Sequence, residues 1–115
     1  MTAQRSKLLV VWSTDNKVTA LHLVFMYTVN SRLKKWWDDV VLLIWGASSL
    51  LSAHDSEIRD RIAQAREAGV RVIACKGCAE KLGVVEDLET LGVEVFYVGQ
   101  FLSEWLKSGD ALLTF

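Results

Sequence analysis

Apolar residues in this chain fall into short unbroken runs, separated by stretches in which they recur every three or four positions. The runs around LLVVW (residues 7–13), VVLLIW (40–45), VRVIA (70–74) and VEVFYV (93–98) have strand length, and the first two are continuous with no alternation. That is the pattern of strands covered on both faces. Between them, residues 17–33 carry Val18, Leu21, Val24, Phe25 and Val29 at helical spacing, and Asp15 or Asn16 can cap the first turn. A second helix is expected at about 54–68 from Ile58, Ile62 and Ala65, with the acidic-first pairs Asp55/Arg59 and Glu57/Arg61, and Gly69 stops it. Shorter helices are expected at 84–91 and 101–107, and the closing ALLTF reads as a fifth strand or an apolar tail.

Strand and helix in alternation call for an α/β fold, a mostly parallel sheet with helices on both faces. Right-handed crossovers then gather the loops near Thr14, Gly46, Cys75 and Gly99 along one edge, where open α/β sheets keep their ligand sites. No repeat or linker divides the chain, so residues 1–115 are read as one domain.

Charge narrows the function. Lys and Arg number 13 against 14 Asp and Glu, a net charge of -1, so no overall field recruits nucleic acid or an anionic membrane. An apolar fraction of 51% with five tryptophans, Trp12, Trp36, Trp37, Trp45 and Trp105, exceeds what so small a core absorbs, so part of the surface is expected to meet another subunit. No apolar run approaches the roughly 20 residues that span a bilayer. The basic start lacks a small-residue cleavage site, and the location expected is cytoplasmic. The adjacent Trp36 and Trp37 beside Lys34 and Lys35 could stack bases, but Asp38 and Asp39 follow directly, which favours a packed or subunit-facing cluster.

The candidate chemistry is sulfur. Cys75 and Cys78 are the only cysteines, three apart at the carboxyl end of the third strand, with Lys76 and Gly77 between them. Amides at a helix start and a neighbouring ammonium favour the thiolate, the form that attacks sulfur or binds metal. Cys75 is the better-placed nucleophile and Cys78 the candidate resolving partner, although either thiol could simply be packed. A thioredoxin-type dithiol enzyme fits less well, because the chain has no proline to face the pair. A zinc site needs four ligands as a rule. The remaining soft or nitrogen donors are His22, His54, Met1 and Met26, so no metal is assigned within one chain and only a site shared between subunits stays open. His22 reads as a core-edge residue and His54 lacks a defined partner. Ser13 to Asn16 form a polar turn that either caps the helix or receives an anion. No glycine-rich phosphate cradle occurs, and no cofactor is expected.

In the order LLVVWST, VVLLIWGASSLL, EAGVRVIACKGCAEKLGV, LETLGVEVFYVG and ALLTF, the chain resembles the DsrE/DsrF-like proteins from Leu8 to Phe115. The resemblance implies a three-layer, five-stranded sheet of flavodoxin-like topology, and homo-oligomers, commonly trimers or hexamers. Sulfur-relay members carry a persulfide on a cysteine eight residues before the glycine of an arginine-glycine pair. Cys75 stands eight before Gly83, while Leu82 replaces the arginine and Cys78 has no required counterpart. The expectation is therefore a sulfane-sulfur carrier working through Cys75 with a sulfur donor or acceptor protein. The alternative is a non-enzymatic ligand-binding or regulatory oligomer with structural cysteines, its pocket lined by Trp12, Ser13, Trp45 and Gly46. Lys76, Gly77 and Asn16 complete the candidate site.

Overall fold

The unbroken apolar runs become the inner strands of a parallel sheet. β1 (Lys7–Trp12) pairs with β2 (Asp39–Ile44) on one side and with β5 (Ala111–Thr114) on the other. β2 pairs with β3 (Arg71–Cys75), and β3 with β4 (Glu94–Phe96), giving the order β4-β3-β2-β1-β5 with every pairing parallel. The structure, a computed structural model, describes residues 6–115. Met1, one of the donors weighed above, lies outside the described residues. In flavodoxin order the second strand flanks the first on its far side; here the fifth does.

The helices are α1 (17–33), α2 (Ser48–His54), α3 (Ser56–Glu67), α4 (Lys76–Leu82), α5 (Val85–Thr90) and α6 (Gly99–Ser108). Connectivity distributes them unequally. The steps from β1 to β2, β3 and β4 all run the same way, so right-handed crossovers put α1 to α5 on one face, and only the return to β5 crosses the other. The strands' side chains divide accordingly. Leu8, Val10, Trp12, Leu42 and Ile44 meet Ala20 and Val24 of α1, Ile58 and Ile62 of α3, Ala79 of α4 and Leu88 of α5. Leu9, Val11, Val41, Leu43 and Ile73 meet α6 through Phe101, Leu102 and Trp105.

The helix expected at about 54–68 is α3, which starts at Ser56 because Asp55 is extended and its carboxylate accepts the Ile58 amide at 3.0 Å. α2 ahead of it buries Ser48, Ser49, Ser52 and Ala53, small residues that register on no hydrophobic pattern. The Asp55/Arg59 pair does not form: Asp55 takes Lys17 Nζ at 3.0 Å, while Arg59 donates to the carbonyls of Ala53 and Asp87. Glu57 and Arg61 do pair, at 3.8 Å, and Lys17 also reaches Glu57 at 3.1 Å. The middle of α1, Ala20–Phe25, is wound as π-helix.

The closing ALLTF is a strand. β5 runs beside β1, and beyond it the Phe115 amide donates to the Val11 carbonyl at 2.8 Å while the Ser13 amide donates to Phe115 at 2.8 Å. Trp36 and Trp37 leave α1 through a turn in which Lys35 takes φ 56, and both settle on Tyr27: the Trp37 indole donates to its hydroxyl at 3.2 Å, and the Trp36 ring lies 5.7 Å from its ring. Among the described residues no helix is long and apolar enough to cross a membrane.

Leu42 is fully buried on β2 and Leu106 is 59% exposed on α6. Leu42→Ala is expected to lower unfolding free energy by about 2–5 kcal/mol through lost burial and the cavity left behind. Leu106→Ala should stay within about 0.5 kcal/mol of the parent, as exposed substitutions do. Urea denaturation of the two variants measures both, and equal costs would contradict the layer assignment.

Candidate functional site

Parallel pairing sets the strand exits side by side. Trp12 is level with Ile44, Ile44 with Ala74, and Cys75 with Phe96, so the exits of β1, β2, β3 and β4 form one rim. Cys75 ends β3 and is the N-cap of α4, with extended backbone at φ -73 and ψ 117. The strand's alternation turns it toward the smaller core, where it packs with Trp45, Phe96 and Ile73. Cys78 lies in the first turn of α4, one helical turn from Cys75, and the two sulfurs interact. A Cβ at Gly77 would stand 3.8 Å from Cys75 Sγ. Both thiols are free and partly exposed.

Cys78 is the better-braced sulfur. The Gly46 backbone and the Trp45 side chain act on it from the β2 exit in the sense that favours the thiolate, and Cys75 acts on it from the strand end in the opposite sense. Burial pushes the Cys78 thiol above the ordinary thiol range. The Cys75 sulfur, through its hydrogen bond and its charge, pushes the same way, and the two influences from the β2 exit offset part of the rise. Cys78 therefore holds its proton at neutral pH.

The brace is itself fixed by the β2 exit. Gly46 adopts φ +72, where glycine carries no steric penalty, and a Cβ there would touch Ser13 at 4.0 Å. The fully buried Ser48 donates its hydroxyl to the Trp12 carbonyl at 2.6 Å and receives the Trp45 amide at 3.2 Å. The Trp45 amide also lies 3.1 Å from the Trp12 carbonyl. Sequence reasoning gave Ser48 no role. Its signal was a hydroxyl placed where a helix begins against strand ends.

The other candidates divide. Trp12 is no pocket wall: it is fully buried in the larger core, edge-on to Phe25 at 5.2 Å between centroids. Ser13 holds the chain end, its hydroxyl donating to the Phe115 carbonyl at 3.0 Å. Asn16 is the cap of α1, its Oδ1 accepting the Thr19 amide at 2.9 Å. Lys76 Nζ stands 5.4 Å from the centroid of the Tyr97 ring, whose hydroxyl donates to Glu80 at 2.7 Å. The helix-start amides do not clasp Cys75 either, since its side chain makes no capping hydrogen bond on α4. The influences that favour a thiolate come instead from the neighbouring strand exit, and they act on Cys78.

His22 lies on the π-helical turn beside a cavity of about 330 Å³ bordered by Phe25, Met26, Arg61 and Gln64. His54 borders a separate one with Asp15 and Asp55. Among the described residues no three His, Cys, Asp or Glu side chains group closely enough to hold a metal ion.

Comparison with known proteins matches this architecture. The model of the DsrE/DsrF-like family matches residues 14–115. Among solved structures, a conserved protein of unknown function from Bacteroides thetaiotaomicron superposes with a TM-score of 0.95 at 35% identity, over 99% of this chain and 100% of that one. The ychN protein from E. coli shares the fold with a TM-score of 0.73 at 18% identity, over 97% of this chain and 100% of its own. A protein of unknown function from Methanobacterium thermoautotrophicum does so with 0.74 at 20% identity, over 94% and 97%. No curated protein matches the chain.

Alkylation reads the thiol pair directly, because iodoacetamide reacts with thiolate. Labelling of Cys78, followed peptide by peptide in mass spectra, is expected to rise only above the pH at which an ordinary thiol ionises. In Cys75→Ser one of the causes that raise it is gone, so the profile should move to lower pH while burial keeps part of the shift. Superimposable profiles would mean that the two sulfurs do not interact.

Proposed function

The chain belongs to the DsrE/DsrF-like family, and we propose that within it this protein is a sulfane-sulfur carrier whose working atom is Cys75 Sγ. The observation that carries the reading is a partly exposed thiol at a strand end, on the rim of a parallel sheet, facing a second thiol. Uptake needs only exchange chemistry. The Cys75 thiolate attacks the outer sulfur of a donor R–S–SH, the sulfur–sulfur bond breaks, and R–S⁻ departs carrying the electron pair. The product is a Cys75 persulfide, and passing its outer sulfur to an acceptor thiolate returns Cys75 with no net oxidation. Gly77 leaves the space beside Cys75 Sγ without a side chain, which suits a sulfur extended by one atom.

The binding-module alternative asks for thiols sealed under hydrocarbon and a pocket walled by Trp12. The thiols are partly exposed and Trp12 lies in the core, so the carrier reading is preferred. Homo-oligomeric assembly belongs to the same proposal. It is supported by apolar side chains left in solvent along α1 and the turn after it, Val18, Leu23, Met26, Leu33 and Trp36.

Intact-mass measurement after incubating the reduced protein with a polysulfide, then removing the excess, tests the carrier. The wild type is expected to gain the mass of a sulfur atom at the Cys75 peptide, and Cys75→Ser to gain none there. A wild-type Cys75 that stays unmodified would overturn the proposal.

A further inference from the structure

The thiol rim makes no use of the cavity of about 330 Å³ between α1 and α3. From α1, two rows of side chains border it: Leu21, Phe25 and Val29 in one, His22, Met26 and Asn30 in the next. Both rows repeat every fourth residue, and four residues overshoot an α-helical turn by about 40°. A plain α-helix would therefore swing each row away from the groove within two turns. The π-wound stretch Ala20–Phe25, whose turns hold more residues, takes back part of that overshoot and keeps the rows in line. The unusual winding and the cavity coincide, as π-turns and functional sites often do.

Leu21, Phe25 and Val29 pack on the larger core and give the groove an apolar floor. Across from α1, Arg61 and Gln64 of α3 form the other wall. Among the described residues, no hydrogen bond within the chain engages the side chains of His22, Asn30 or Gln64. Arg61 is only loosely held: Glu57 stands 3.8 Å from it, while Lys17 holds Glu57 closer, at 3.1 Å. An apolar floor is thus ringed by polar groups whose bonding capacity is unspent, and one of them is a guanidinium.

We propose that this groove is a second ligand site, for a small monocarboxylate with an aliphatic or aromatic body. The carboxylate sits on Arg61, whose planar fork matches it with two parallel hydrogen bonds, with the amides of Asn30 and Gln64 beside it, and the body lies on the floor. Ligand pockets span roughly 300–1,000 Å³, and a cavity of about 330 Å³ takes only a small molecule. A phosphate ester would bring a second negative charge toward Glu57, and a neutral alcohol would leave the guanidinium unanswered. Of the apolar side chains exposed along α1, only Met26 borders the cavity; Val18, Leu23 and Leu33 lie off it, so the groove is distinct from the stripe that supports assembly. No lining residue belongs to the thiol rim, and the site stands independently of the carrier reading.

The test titrates the full chain, nitrogen-labelled for NMR, with hexanoate, hydrocinnamate and indoleacetate, and with the alcohol that matches each acid. At least one acid should bind saturably, moving the amides of residues 20–30 and 61–64 and leaving those of the thiol turn still. Its alcohol should bind about 10- to 100-fold more weakly, the effect of losing hydrogen bonds to a charged group. The same loss is expected for the acid on Arg61→Met, which keeps the apolar stem and removes the charge. Gln64→Trp, at an exposed position, fills the groove and should abolish binding, so the test stands even where Arg61→Met fails to fold. A wild type that binds none of the three acids, an alcohol that binds as tightly as its acid, or a Gln64→Trp that binds like the parent would overturn the site. Where no acid binds and Gln64→Trp changes the particle mass in light scattering, the groove belongs to a second copy of the chain instead.

Discussion

The parallel pairing of β2 with β3, Ile44 level with Ala74, brings two strand exits to the same height, and the thiol seat is built across that step. Neither exit makes it alone. β3 supplies Cys75 and leads into the turn that carries Cys78, while β2 supplies the amide of Gly46 and the indole of Trp45. A shift of one residue in this register would send alternate side chains to the opposite face, taking Cys75 off the smaller core and Trp45 away from Cys78. The register is secured where Leu42, Leu43, Ile44, Ile73 and Ala74 have no exposure, so the hydrophobic core fixes the chemistry at the rim.

The uneven layering matters for the same reason. Five helices close one face, and there Trp12 and Phe25 fill the space beneath the rim. Only α6 covers the other, and Cys75, Trp45 and Phe96 sit at the edge of what it covers. A thiol on the first face would be sealed under helices; on the second it keeps partial exposure while still packing. The direction in which β3 ends, set by strand alternation, thus decides that Cys75 is reachable.

Much of this was legible in the sequence. Four strand runs, the stripes of α1 and α3 and the cysteine turn all announce themselves by hydrophobic period and by glycine. What stayed hidden has physical causes. α2 buries serines and an alanine, which carry no hydrophobic signal, so the helix itself could not be seen. Asp55 found Lys17, a partner distant in sequence, because α1 and α3 lie side by side; helical spacing alone offered only Arg59. At the site, the sequence pointed to Gly46, Trp45 and both cysteines, but assigned the stabilising amides to the start of α4 and to Cys75. Hydrogen-bond direction belongs to the way two exits meet, and no spacing along the chain encodes it. Trp12 was misplaced because a continuous apolar run hides which face each residue takes.

Two thiols three residues apart meet the same neighbourhood from different sides. Burial and the facing sulfur of Cys75 raise the Cys78 thiol above the ordinary range, and Gly46 and Trp45 at the β2 exit offset part of that rise. Exchange rate follows the thiolate fraction, so at neutral pH this environment keeps Cys78 a poor nucleophile. Under the carrier reading the exchange then falls to Cys75, partly exposed at the strand end, and the β2 exit tunes its neighbour without touching it.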